Sequence, residues 1–390
     1  MYDVIVIGGG PAGSYAAYKL AEKGHKVLVL ERKRQVGESV CCIGIIGQEC
    51  VNTFAIENSI ILRHVNSARL FSPSGILLNL WREKPQACIL DRAAFDVSMA
   101  TRAQEVGADY TLNSLAKGIT IEKDGVNVEV YCQGKGTSFE ARAAVVASGF
   151  GSSLCHRLGL GRFGDFTIGA QAEVKTSELD ELEVYFGDMA PGFFAWLVPT
   201  TPTMARAGLM SREKPGPYLR KWLAHLASQG RIASAEAEIS YGGIPLKPLP
   251  RTYSERLLVI GDAAGQVKPI SGGGIYYGLL AADIAVKTMH QALEDGDLSA
   301  KRLAQYERGW RKKLWRELKI DYWARRLFEH LSDRKIDRIF EIVKANGIDI
   351  ALLGAEDLSF DWHSKTILRL IRYQMVAKAI DVIKLPFRNG

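Results

Sequence analysis

The sequence predicts an α/β chain, α+β overall, and three patterns lead to that class. Residues 4–7 (Val-Ile-Val-Ile) are a short β-branched run, followed by a glycine cluster, a helical stretch and a second apolar run at 27–30. A later buried-strand pattern at 257–260 runs into Gly261-Asp262 and, past another glycine cluster, into a second helix. Between these blocks lie strands such as 167–174 and a helix near 218–229, and residues 297–390 read as mainly helical.

Taken in order, the first block is a βαβ unit. Strand 4–7 leads into Gly8-Gly9-Gly10-Pro11-Ala12-Gly13, then a helix over 14–23 closed by Gly24, then strand 27–30 ending at Glu31. Gly8, Gly10 and Gly13 stand at the spacing of a Rossmann-like dinucleotide-binding turn. Gly8 permits the tight turn, Gly10 lets backbone approach a pyrophosphate, and Gly13 lets helix and strand pack closely. The helix N-terminus favours phosphate charge, and Glu31 is placed to accept a hydrogen bond from a ribose hydroxyl. A glycine-rich turn without a ligand is the plain alternative, and the full order of strand, glycines, helix, strand and acid argues against it.

The second block repeats the logic. Strand 257–260 delivers Asp262, whose carboxylate can accept hydrogen bonds from sugar-alcohol hydroxyls. Pro269-Ile270-Ser271-Gly272-Gly273-Gly274-Ile275 then opens a helix running from Tyr276 to about 293, whose N-terminal N–H groups can stabilise negative charge on a ring. Alone, a Gly-Asp pair after a strand is ordinary turn chemistry. Paired with the first block, it reads as the other half of one cofactor site.

These placements divide the chain. A discontinuous nucleotide-binding domain is expected over 1–60, 88–165 and 252–296, a substrate domain on an antiparallel sheet over 61–87 and 166–251, and a C-terminal helical region over 297–390. The composition, 47% hydrophobic and 24% charged over 390 residues, excludes disorder, collagen and a disulfide miniprotein. Cys41, Cys42, Cys50, Cys88, Cys132 and Cys155 include no Cys-x-x-Cys pair, which speaks against a zinc site and a disulfide framework, so no metal is expected. The amino terminus lacks a basic leader followed by an apolar segment, and no stretch approaches the length of a bilayer span, so a cytoplasmic or peripheral protein is expected.

The two blocks resemble those of an FAD-dependent oxidoreductase of the para-hydroxybenzoate hydroxylase-like group, and within it the chain is similar to the geranylgeranyl reductase family over nearly its whole length. Beside the two flavin motifs, the resemblance rests on Cys42 after Gly37-Glu38-Ser39-Val40-Cys41, on Leu90-Asp91-Arg92 with Phe95-Asp96, on Phe194-Ala195-Trp196-Leu197-Val198-Pro199, and on Tyr306-Glu307-Arg308 through Phe340. It implies FAD against Ala12, Glu31, Cys42, Ile43, Arg92, Ala116, Asp262, Gly274 and Ile275, in addition to the glycines. From the residues alone, Arg92 fits a phosphate or carbonyl partner as well as an exposed salt bridge to Asp91 or Asp96. The sequence departs from the family at Ile43-Gly44-Ile45-Ile46, where a small or acidic run is usual, and at Val198-Pro199, where Phe-Pro is usual. Both departures fall where substrate should meet flavin.

The implied reaction is reduction of isoprenoid double bonds in a prenyl lipid by hydride from reduced flavin. An isolated double bond has no neighbouring carbonyl to stabilise charge, so the reaction needs close positioning, a proton source and a dry apolar cavity. Cys42 is the first candidate beside the ring, with Tyr276 as an acid and Trp196 as a further catalytic candidate. Phe194, Trp196 and Val198, spaced by two, should share a strand face and line the alkyl-chain cavity. A buried structural cysteine and a plain aromatic core are the alternatives for these residues. No second glycine fingerprint is present, so electrons come from transiently bound NADPH or from a small redox partner protein. Two other functions compete: a flavin monooxygenase or halogenase, echoed by Gly37-Glu38-Ser39 but with Phe194 where a tryptophan is wanted, and a non-catalytic flavoprotein sensing lipid or redox state at a membrane.

The formal charge of +7 lies entirely within 297–390. Over 308–335, ten Lys and Arg and four Asp and Glu interleave with Trp310, Trp315, Tyr322, Trp323 and Phe328. No nucleic-acid reading module accompanies them. Basic, aromatic, amphipathic helices suit an anionic membrane surface on the inner face of the membrane, a solvated helix face with inward aromatics being the alternative.

Overall fold

The β-branched run at the amino terminus becomes a central strand because it can be buried on both faces. In the computed structural model, Tyr2–Ile7 pairs in parallel with Val27–Leu30 on one side and Lys135–Val146 on the other, and Val4, Ile5 and Val6 are fully buried. The structure describes residues 1–177, 179–355 and 359–372. These form two units: Met1–Val40, Asp91–Phe166 and Gly243–Leu318 in the first, Cys41–Leu90, Thr167–Gly242 and the chain from Lys319 in the second.

The first unit holds an eight-stranded sheet. Its main path runs Tyr253–Ser254, Leu257–Val259, Lys135–Val146, Tyr2–Ile7, Val27–Leu30, Asp109–Thr111, and the Ser114–Ile121/Val126–Cys132 hairpin extends from Lys135–Val146. Helix Pro11–Glu22 packs against helices Arg92–Glu105 and Ile275–Glu294. The packing is close where small residues meet: a Cβ on Gly261 would stand 3.2 Å from the Ala12 methyl, and one on Gly278 would touch both.

The second unit is built on a seven-stranded sheet in the order Ile239–Pro245, Phe166–Lys175, Met204–Ser211, Ala195–Thr201, Leu182–Tyr185, Ser67–Phe71, Leu77–Trp81. From Phe166–Lys175 to Leu77–Trp81 the pairing is antiparallel except at Leu182–Tyr185 against Ser67–Phe71, which is parallel. Those two strands come from segments separated by a long excursion of the chain, the condition a parallel pair requires. One face of this sheet (Ala170, Ala172, Leu197, Ala207, Leu209) buries the Pro215–Ser228 helix through Leu219, Trp222 and Leu223. On the other, Leu70 and Leu78 receive helix Asp333–Ala345 through Ile336 and Phe340. A three-stranded sheet of Ile45–Gly47, Ala87–Leu90 and Ile61–Val65 completes the unit.

This division differs from the expected one in two places. Residues 41–60 group with the second unit because Ile45–Gly47 pairs with Ala87–Leu90. The helical region is not a separate body: helix Ala300–Glu329 buries Leu303, Tyr306, Trp310 and Leu314 in the first unit, and its residues from 319 on group with the second. Residues 356–358 and 373–390 of the expected 297–390 region lie outside the described residues.

Candidate functional site

The three motif glycines of the first unit are glycines for different reasons. Gly8 has φ +108°, and a side chain there would collide with the Ala147 carbonyl. A Cβ on Gly13 would overlap the Gly8 carbonyl. Gly10 is unlike both: its φ is −74°, which any residue adopts, and a Cβ there would meet nothing within 4 Å. Internal packing does not demand glycine at position 10. The space beside it opens at the N-terminus of the Pro11–Glu22 helix, which has no side-chain cap.

Glu31 closes the turn from the neighbouring strand. It is 8% exposed, and its carboxylate accepts the Gly9 N–H at 2.7 Å and the Lys33 N–H at 3.0 Å. Two backbone donors leave acceptor capacity on a carboxylate for a ribose hydroxyl. Arg92 opens a helix capped by Asp91, which accepts from Ala94 N at 3.0 Å. It is buried rather than exposed, and its salt-bridge partner is Asp96, at 2.7 Å. Ala116 stands on Ser114–Ile121 opposite Val130, its methyl packed on the core, so only its main chain is on offer to a ligand.

Asp262 lies in the short 3-10 turn after Leu257–Val259, against Gly274, where any Cβ would strike its carboxylate. Part of its side chain is open to solvent, yet surrounding protein crowds it enough to raise the carboxyl above the usual range, Arg92 acting in the opposite sense. Gly274 is the N-cap of the Ile275–Glu294 helix, which has no side-chain cap, so the N-terminal end of that helix lies beside Asp262. Tyr276 follows with its ring buried, 6.4 Å from that of Tyr277.

Sequence reading missed the group that holds the Asp262 turn. Gln266, fully buried, accepts the Gly261 N–H at 2.8 Å and donates to the Tyr306 hydroxyl at 2.7 Å, which donates to the Val259 carbonyl at 2.7 Å. Trp310 donates to Thr252 Oγ1 at 2.9 Å, and Glu307 accepts from both Thr252 N and Oγ1. Tyr306, Glu307 and Trp310 at i, i+1 and i+4 show only a helix with an inward aromatic stripe, and nothing local names their partners.

In the second unit the predicted residues gather on one sheet face. Register pairs Trp196 with Gly208 and Val198 with Arg206, and Gly208 and Arg206 with Gln171 and Glu173. All six therefore share the face opposite the Pro215–Ser228 helix. The Trp196 ring lies flat over Gly208, a Cβ on which would come within 2.6 Å of it, and its buried Nε1 has no partner. Phe194 precedes the strand rather than standing on it, but its ring still meets Trp196 edge-on at 6.0 Å.

Cys42 and Ile43 are held to that face by side chains. Arg206, 8% exposed, donates from Nη1 to the Ile43 carbonyl at 2.7 Å and the Leu90 carbonyl at 3.2 Å, while its Nε meets Glu173 at 3.3 Å. Gln171 Nε2 donates to the Cys42 carbonyl at 3.3 Å, and the Gly44 N–H points at Cys42 Sγ at 3.4 Å. Burial pushes the neighbouring Cys41 thiol up, with a hydrogen bond to Ser240 opposing. Arg206 and Gln171 were not expected from sequence; their one signal was a polar residue inside an otherwise apolar strand.

The architecture and the motifs define an FAD-dependent oxidoreductase. A model of the pyridine nucleotide-disulphide oxidoreductase family matches residues 2–181. The chain is 32% identical to a digeranylgeranylglycerophospholipid reductase of Methanocaldococcus jannaschii, over 90% of this chain and 93% of that protein, and 31% identical to one of two such reductases of Methanothermobacter thermautotrophicus, over 95% and 99%. Among solved structures, a geranylgeranyl bacteriochlorophyll reductase-like protein of Thermoplasma acidophilum superposes with a TM-score of 0.86 at 25% identity, covering 97% of this chain and 98% of that one. A flavin-dependent brominase reaches a TM-score of 0.70 at 17% identity, covering 97% and 99%, a likeness of fold alone. The chain belongs to the geranylgeranyl reductase family.

Proposed function

We propose that this reductase saturates isolated double bonds in the isoprenoid chains of a prenyl lipid of the digeranylgeranyl glycerophospholipid type. The observation that carries the substrate class is the match to reductases so named along nearly their whole length. FAD supplies hydride when reduced. The chain's own residues fit it: Gly10 and the Pro11–Glu22 N-terminus receive the pyrophosphate, Glu31 a ribose hydroxyl, and Asp262 the sugar-alcohol hydroxyls. The free N–H groups at Gly274 and Ile275 supply a positive dipole end. Arg92, paired with Asp96, places its positive charge near Asp262 on the side of the same cofactor.

The substrate side of the proposal uses the second unit. Trp196, Phe194 and Val198 give an apolar surface that excludes water from the alkyl chain, and the Cys42–Ile43 loop, fixed by Arg206 and Gln171, sets Cys42 as a proton source. Tyr276 is the second candidate acid. Incubating chemically reduced, FAD-loaded enzyme anaerobically with digeranylgeranylglyceryl phospholipid should add two hydrogens per bond by mass spectrometry. An unchanged lipid mass would overturn the reading, and a chloride-dependent product would replace it with a halogenase. Stopped-flow mixing with NADPH separates that donor from a redox protein.

The proposal extends to attachment at an anionic inner membrane surface. No helix among the described residues is long and apolar enough to cross a membrane. Along helix Ala300–Glu329, Lys301, Arg308, Lys312, Lys313 and Arg316 are exposed at helical spacing on one side, with Trp315 38% exposed among them. Basic groups with one aromatic wedge suit anionic headgroups, and the protein should float with vesicles containing anionic lipid but not with neutral ones.

A further inference from the structure

Arg325 is a buried cation with no salt-bridge partner among the described residues. It is 2% exposed, its guanidinium lies 4.3 Å from the centre of the Phe193 ring and 5.0 Å from that of Phe328, and its Nη2 donates to the Gly192 carbonyl. Its buried Nε has no partner among the described residues. The nearest acid, Glu329, is engaged elsewhere: it pairs with Arg212 at 2.5 and 2.8 Å and with Arg326 at 3.4 Å. Three guanidinium groups thus surround one carboxylate, and burial, with Arg212 adding repulsion, brings the Arg325 pKa down to about 10 while Glu329 resists. A buried charge in this condition is costly unless an anion completes it.

The chemistry around it names the anion. From Phe328 a run of rings continues without a break: Phe186 at 5.4 Å, Phe194 at 6.2 Å from Phe186, and Trp196 at 6.0 Å from Phe194. A cation at one end of an aromatic strip that reaches Trp196 fits a molecule with an anionic head and a long apolar tail. We propose that Arg325, with Arg212 at the rim, binds the phosphate of the prenyl lipid headgroup, and that an isoprenoid chain runs from there along Phe328, Phe186 and Phe194 to Trp196. This rests on the phospholipid reading given above and assigns it a headgroup site.

The test compares Arg325→Met, Arg325→Lys and the rim variant Arg212→Gln in full-length, FAD-loaded enzyme. Three probes are used: a digeranylgeranylglyceryl phosphate, the neutral digeranylgeranylglycerol, and inorganic phosphate. For the phosphorylated lipid, KM should rise about tenfold or more in Arg325→Met, with kcat and the flavin spectrum within about twofold, and Arg325→Lys should recover part of the loss. The neutral lipid should be unaffected, and Arg212→Gln should show the same selectivity more weakly. Equal loss on both lipids, or loss on neither, overturns the proposal, and if Arg325→Met does not fold, Arg212→Gln decides by the same criterion. Weak competition by inorganic phosphate in wild type that disappears in the variant shows that the phosphate group itself is read rather than the assembled lipid surface. If wild type reduces neither lipid, the reductase reading fails separately. Calorimetric binding of the phosphorylated lipid that is lost in Arg325→Met then still supports the anion site, and binding that is absent, or equal in the variant, overturns it.

Discussion

The two units present their functional groups with different parts of the chain. In the first, the groups proposed for the cofactor are mostly main chain: the turn at Gly10 and the N-terminal ends of two helices, with Glu31 and Asp262 as side-chain exceptions. In the second, everything is side chain: Arg206 and Gln171 fix the Cys42 loop, Trp196 lies over Gly208, and Arg325 lies between Phe193 and Phe328. Main-chain sites tolerate few residue types at fixed spacing, so they leave a short motif. Contacts between side chains of distant strands, such as Arg206 on the Ile43 carbonyl, leave none.

The comparison can be broken most severely at Gly13. Gly13→Val forces a branched side chain into the Gly8 carbonyl and should cost about 3 kcal/mol or more. The protein should be insoluble or show a much lower urea midpoint, and a soluble variant with the wild-type midpoint would contradict the packing described. Next comes Arg206→Met, which strands the Ile43 and Leu90 carbonyls and should cost about 1–3 kcal/mol. FAD affinity should be spared and kcat reduced, since the loop that moves carries Cys42. Equal losses in both would mean that the loop is only structural.

Gly10→Ala sharpens the contrast within the motif itself. With φ at −74° and open space around it, alanine should leave the apoprotein as stable or about 0.4–1 kcal/mol more stable, while FAD binding weakens about tenfold or more. Fluorescence titration with FAD beside urea denaturation reads both, and unimpaired FAD binding would remove Gly10 from the pyrophosphate site. Tyr306→Phe, which orphans Gln266 Nε2 and the Val259 carbonyl, should cost about 1–3 kcal/mol and loosen FAD a few-fold through the Gly261 turn.

The smallest effect concerns pH. His25 lies at 2.8 Å from His290 at the far end of strand Val27–Leu30 from Glu31, and burial first, then His290, lowers its pKa, with Asp3 opposing. The folded state therefore refuses a proton that the unfolded chain accepts. The stability contribution is full above the ordinary histidine value near 6.5 and declines as pH falls below it. Urea midpoints at pH 7.5 and 5.5 should differ less in His25→Gln than in wild type, and an equal difference would exclude His25 as the cause.

Most of the first unit was legible in the sequence. The Gly8 turn, the strand ending at Glu31 and the Gly261-Asp262 turn depend on local backbone geometry, which the residues at those positions prescribe. The register of the second unit was not, because a strand such as Ala195–Thr201 shows its two-residue period but not its neighbours. Phe194 was expected on the strand and lies before it. Arg92 fitted either a ligand or an exposed bridge, and its burial against Asp96 depends on the helix packing around it.

By itself, then, the sequence determined the class of fold, the flavin turn and the family, because each rests on short runs of neighbouring residues, whatever the distance between one run and the next. Tertiary structure alone decided that Gln266 and Tyr306 brace the Asp262 turn and that Gln171 and Arg206 tie Cys42 and Ile43 to the sheet. It alone left Arg325 buried with no salt-bridge partner among the described residues. The physical reason is one of range: backbone conformation is set within a few residues, whereas the partner of a buried polar side chain is set by whichever distant element packs against it.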